Sequence, residues 1–90
     1  MFLLYGMLLK IVNFVSINYN SMITFSIDTE YIELIKLLKA TQVAESGGMA
    51  KLMVENGEVI RNGEIEYRKR AKIIPGETIE VRGTTIRITV

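Results

Sequence analysis

The chain has 90 residues, enough for one small domain, and a formal net charge of +1. It contains no cysteine and no histidine, which removes disulfide staples, thiolate metal sites, the commonest general base and every Ser-His or Cys-His nucleophile pair. Its carboxylates are interspersed with cations rather than paired in an apolar setting, so the expectation is no enzyme, no metal site and no cofactor.

Residues 1–21 differ from everything after them. Met1 to Leu9 is almost wholly apolar, Lys10 interrupts, and Ile11 to Ile17 is apolar with Asn13 and Ser16 mixed in. No cation precedes the run and no small-residue cleavage site follows it, so it does not read as a secretory signal. As a membrane span it is short, and Lys10 near its middle costs about 3 kcal/mol at the bilayer centre. The favoured reading is an apolar N-terminal extension created by an over-long start, with translation normally beginning at Met22. On that reading the domain is 22–90 and the protein is cytoplasmic. If the extension is made, a membrane anchor or an association surface is the alternative.

Ile23 to Ile27 alternates apolar and polar residues, as a half-buried strand does. Asp28 or Thr29 then offers an N-cap, with Glu30 and Glu33 in the first turn of a helix running to about Ala40. Its apolar stripe is Tyr31, Leu34, Ile35 and Leu38, broadened by Ile32 and Leu37. After a short connector Ser46 caps a second helix, whose apolar face is Met49, Ala50, Leu52, Met53 and Val54 and whose end is Asn56-Gly57. Gly47 and Gly48 open that helix although glycine is a poor helix former. Two readings stand side by side: bare N–H groups that a phosphate can approach, or tight packing against the first helix.

Glu58–Arg61 and Glu64–Tyr67 flank Asn62-Gly63, the strongest short hairpin signal. Arg68, Lys69, Arg70 and Lys72 follow, and with Arg61 they place five cations between residues 61 and 72 against Glu64 and Glu66. Charge alone favours an ordinary solvated face. Pro75-Gly76 turns the chain, Thr78–Arg82 alternates as a strand, and Thr84–Val90 alternates again after Gly83. The fold class expected is α+β, two packed helices against a small, mainly antiparallel sheet.

The order strand, helix, helix, Asn-Gly hairpin, basic stretch, Pro-Gly turn, strand resembles the small RNA-binding module of the ribosomal small-subunit protein four type, the alpha-L motif. More narrowly, it is similar to stand-alone bacterial members of the YaaA/YbcJ type. The residues that carry the resemblance are Tyr31–Lys39, Val43–Lys51, Glu55–Val59, Val59–Glu64, Arg68–Lys72 and Pro75–Ile79. The likeness covers Met22 to about Val81. Residues 1–21 have no counterpart in the pattern, and Thr84 to Val90 extends past its usual end as an added strand or a frayed tail.

The resemblance implies an RNA-binding face. On it Ser46, Gly47 and Gly48 form an anion-receptive helix start, Lys51 projects one turn further on, Asn62 and Gly63 hold the hairpin bend, and Arg61 joins them as an RNA-binding residue. Arg68, Lys69, Arg70 and Lys72 meet phosphates. The partner implied is a structured RNA such as ribosomal RNA or a stem-loop, held mainly through its backbone. The alternative from another class is a protein-interaction or assembly module whose same face binds an acidic partner.

Overall fold

The structure, a computed structural model, describes residues 21–90; the readings of the extension upstream of Ser21 lie outside the described residues. Strand β1 (Ser21–Ser26) is followed by a short strand β2 (Ile32–Glu33), helix α1 (Leu34–Ala40) and helix α2 (Gly47–Glu55). Then come β3 (Val59–Arg61), β4 (Glu64–Ile65), β5 (Lys72–Ile73), β6 (Thr78–Val81) and β7 (Thr84–Thr89). Five strands make one sheet in the order β1-β7-β6-β3-β4, and β2 pairs with β5 in a separate ribbon. Among the described residues only β1 and β7 run parallel; the other pairings are antiparallel. The α+β class is therefore the one expected.

Alternation along the strands decides which face the helices cover. Ile79 and Val81 of β6, Ile86 and Ile88 of β7 and Val59 of β3 are buried. They share one apolar cluster with Leu34, Leu37 and Leu38 of α1 and Ala50, Met53 and Val54 of α2. The stretch left open between an added strand and a frayed tail is thus a strand, wedged between β1 and β6 and supplying two core isoleucines. β1 begins at Ser21, whose N–H donates to the Gly83 carbonyl at 3.0 Å.

Helix α1 starts later than the capping residues suggest. Ile32 and Glu33 pair with Ile73 and Lys72 instead of coiling. The Leu34 and Ile35 N–H groups then donate to the Ala71 and Lys69 carbonyls at 2.9 and 3.2 Å. A backbone segment distant in sequence takes the place of the Asp28 or Thr29 cap, and Thr29 Oγ1 donates to the Tyr31 carbonyl at 2.9 Å. Tyr31 consequently precedes the helix and is exposed rather than part of its apolar stripe.

Helix α2 is capped as its sequence indicates. Ser46 Oγ accepts from the Met49 N–H at 3.1 Å. At the other end Gly57, at φ +74°, lets the Gly57 and Glu58 N–H groups return to the Val54 and Met53 carbonyls, the paired bonds of a Schellman ending. One expectation fails: Leu52 is exposed, so the covered face of α2 is Ala50, Met53 and Val54. The β3–β4 hairpin turns at Asn62 and Gly63, with φ +50° and +90°, the type I′ geometry that matches strand twist.

Candidate nucleic-acid interface

Past the hairpin the chain crosses the α1 start as Arg68-Lys69-Arg70-Ala71, and three successive side chains tie it to three neighbours. Arg68 grips Glu66 with Nε and Nη2, at 2.9 and 3.0 Å. Lys69 Nζ reaches Glu55 in the last turn of α2 at 2.7 Å, and Arg70 reaches Glu33 of β2 at 3.3 Å. Lys72 lies over the Tyr31 ring, 5.0 Å from its centroid, a cation–π contact. Arg68, Arg70 and Lys72 line one shallow concavity with Arg61 and Ala71. The side chains of Arg68 and Arg70 remain 74% and 80% exposed. The ion pairs of Lys69 and Arg70 are the more exposed ones, worth about 0–1 kcal/mol each, so these two cations can transfer to a phosphate at little cost, whereas Arg68 is held by the buried Glu66 and can offer only its exposed edge.

Glu66 is the group that orders them. Only 8% exposed, it accepts from Arg61 Nη1, from Arg68 Nε and Nη2, and from the Arg68 backbone N–H, all within 3.1 Å. The Arg68 guanidinium beside it, with the Arg68 N–H and Arg61, outweighs the cost of burial and holds its carboxyl at about 2. Glu77 faces Arg61 from the opposite side: its two oxygens accept from Arg61 Nε and Nη2 at 3.0 and 2.9 Å, from the Ile74 N–H and from Asn62 Nδ2. Burial pushes the Glu77 carboxyl up, but Arg61, the Ile74 N–H and Asn62 together bring it below the usual range.

This bonding divides the expected site residues. Arg61 also donates Nη2 to the Lys72 carbonyl at 2.8 Å, so its fork is spent inside the domain. Asn62 is likewise engaged, its Oδ1 accepting from the Thr78 N–H at 3.0 Å. Arg61, Asn62 and Gly63 shape the bend, while Arg68, Lys69, Arg70 and Lys72 face outward. The helix start lies elsewhere. Lys69 docks on Glu55 at the end of α2, whereas Ser46, Gly47 and Gly48 stand at its beginning, about 13 Å away at 1.5 Å per residue. Lys51 bridges the two on the exposed side of the helix, one turn before Glu55 and close enough to help lower its carboxyl, after the stronger effect of Lys69.

Packing does not explain the paired glycines. A Cβ on Gly48 meets only Ser46 Oγ, at 3.8 Å, and one on Gly47 meets only Lys39 Cδ, also at 3.8 Å. Both are ordinary contacts, so the first helix does not demand glycine at either position.

A sequence model of the S4 domain matches residues 25–89, from the end of β1 through β7. The chain belongs to the S4 domain family. This S4 domain is 38% identical to YbcJ of Escherichia coli (strain K12) over 68 residues, 74% of this chain and 97% of that protein. It is 43% identical over 58 residues to the Probable ribosome maturation protein RlbA of Bacillus subtilis (strain 168), covering 64% of this chain and 82% of that one. The solution structure of Escherichia coli YbcJ, described as revealing an alpha-L motif involved in RNA binding, superposes with a TM-score of 0.63 at 33% identity, over 87% of this chain and all of YbcJ. The S4 domain here thus has the alpha-L architecture.

Sequence reasoning missed Glu66 and Glu77 as members of the site. The available signal was an acid placed between Arg61 and Arg68 in a hairpin too short to bury it by alternation. Among the described residues no cluster of acids could hold a metal ion, and no helix is long and apolar enough to cross a membrane.

Proposed function

We propose that this S4 domain binds structured RNA through its sugar-phosphate backbone, with Arg68, Lys69, Arg70 and Lys72 on phosphates and Lys51 and the Ser46–Gly48 helix start extending the contact along α2. The observation that carries the reading is the set of outward cations around one concavity, with Lys69 tied to α2, Arg70 to β2 and Arg68 oriented by buried Glu66. Preordered cations lose little side-chain entropy on meeting a phosphate. A local basic patch on a chain of net charge +1 suits a defined polyanion better than general coating of nucleic acid. The name of the RlbA relative supports ribosomal RNA as the structured RNA, and the role is binding without catalysis in the cytoplasm.

Salt dependence tests this directly. Four phosphates neutralised make the logarithm of affinity fall with log salt at a slope of roughly −3 to −4. The variant Lys69→Ala, Arg70→Ala, Lys72→Ala spares Arg68 and so leaves Glu66 paired. It is expected to unfold at nearly the wild-type temperature, to bind a stem-loop RNA more weakly, and to flatten the slope to about −1. An unchanged salt titration overturns the proposal, and an acidic protein competing equally well with RNA points to the assembly module instead.

A further inference from the structure

Tyr67 is large, aromatic and 62% exposed, and phosphate contacts do not use it. Its position is nevertheless fixed. The phenol end rests on the backbone where α2 ends: a Cβ on Gly57 would stand 3.3 Å from Tyr67 Oη and 3.5 Å from Cε1. On either side along the chain Glu66 and Arg68 are locked together, with the Arg68 N–H on Glu66 Oε2 at 3.0 Å. Lys69 docks on Glu55 at the same end of α2 that Tyr67 touches. The other exposed aromatic of the domain, Tyr31, already carries the Lys72 ammonium over its ring. Tyr67 is therefore a preordered ring with cations beside it.

Resting on the RNA reading above, we infer that Tyr67 stacks on one unpaired base while Arg68 and Lys69 hold the phosphates around it. The RNA taken is then a helical stem with an unpaired nucleotide at its junction or loop, not a continuous duplex. An exposed ring offers a π-face that any base can cover, so the contact selects unpaired bases without reading their identity. In a duplex every base is already stacked, and Tyr67 has nothing to meet. A single ring also fits a structured target better than a long single strand, which needs a row of aromatics.

The test measures fluorescence anisotropy of the full chain with two labelled RNAs of equal phosphate count, a hairpin with an unpaired loop and a blunt duplex. Wild type and Tyr67→Phe are expected to prefer the hairpin by about tenfold, the size of one base–aromatic stack. Tyr67→Ala is expected to lose that preference, with duplex affinity, salt slope and melting temperature unchanged. Equal hairpin and duplex affinities in wild type, or a Tyr67→Ala variant that weakens both RNAs alike or neither, overturn the stacking role while leaving the phosphate reading intact. Failure of wild type to bind either RNA overturns both.

Discussion

Glu66 shows how one buried carboxylate can set the geometry of two arginines. Its carboxyl is held at about 2 in the fold, against an ordinary 4.5, so the unfolded chain binds the proton more readily. The stabilisation is therefore complete above pH 4.5 and is lost as the pH falls from there towards 2. A depression of this size corresponds to stability on the order of 3 kcal/mol, close to the usual cost of breaking a buried ion pair by removing one partner, about 3–5 kcal/mol. Glu66→Gln keeps the volume and removes the charge. It is expected to lower stability by about 2–3 kcal/mol at pH 7 and by much less at pH 2. Urea unfolding of both proteins at the two pH values checks this, because Glu55, Glu58 and Glu77, also held low, contribute to both alike. A loss that does not shrink in acid would mean that Glu66 acts through packing.

At the scale of elements, local chemistry in the sequence marked α2, both of its caps and the two glycine turns, since each depends on a few adjacent residues. The start of α1 was illegible because the groups that end its orphan N–H bonds, the Lys69 and Ala71 carbonyls, lie more than thirty residues away. Burial in the hairpin follows register rather than polarity. Pairing with Ile60 puts Ile65 on the open face of the sheet, and Glu66, whose N–H donates to the carbonyl of buried Val59 at 2.9 Å, turns inward. Leu52 fell on the wrong side because an apolar residue in an amphipathic helix is counted as core unless something assigns the solvent face a role. The glycines that open α2 give the clearest test at this scale. A Cβ on Gly48 has room and removes a helix penalty of up to about 1 kcal/mol, so Gly48→Ala is expected to melt no lower than wild type. If a phosphate approaches those N–H groups, the same change weakens RNA binding several-fold. Melting and binding measured on one sample separate the two effects, and unaltered affinity removes the helix start from the interface.

For the whole molecule, the proposed RNA contacts and the strand that joins the sheet involve different residues. β7 carries none of the proposed RNA-binding cations and supplies two residues of the core. Among the described residues it is the sole strand partner of β1, it joins β1 to β6, and its Ile86 and Ile88 are almost wholly buried. A domain of this size without a disulfide holds only about 3–5 kcal/mol, so loss of β7, with its two buried isoleucines, is expected to unfold it. A milder change separates scaffold from site. Ile86→Val removes one buried methylene and costs about 0.5–1.5 kcal/mol, a shift of roughly 1 M in the urea midpoint at the slope usual for small domains. Thr85→Ala, on the opposite face of the same strand, is expected to stay within about 0.5 kcal/mol of wild type. Neither variant touches a residue assigned to RNA, and far below the transition both are fully folded. Their RNA affinity and salt slope are therefore expected to equal those of wild type, whereas a change in affinity for Thr85→Ala would extend the interface to the open face of the sheet.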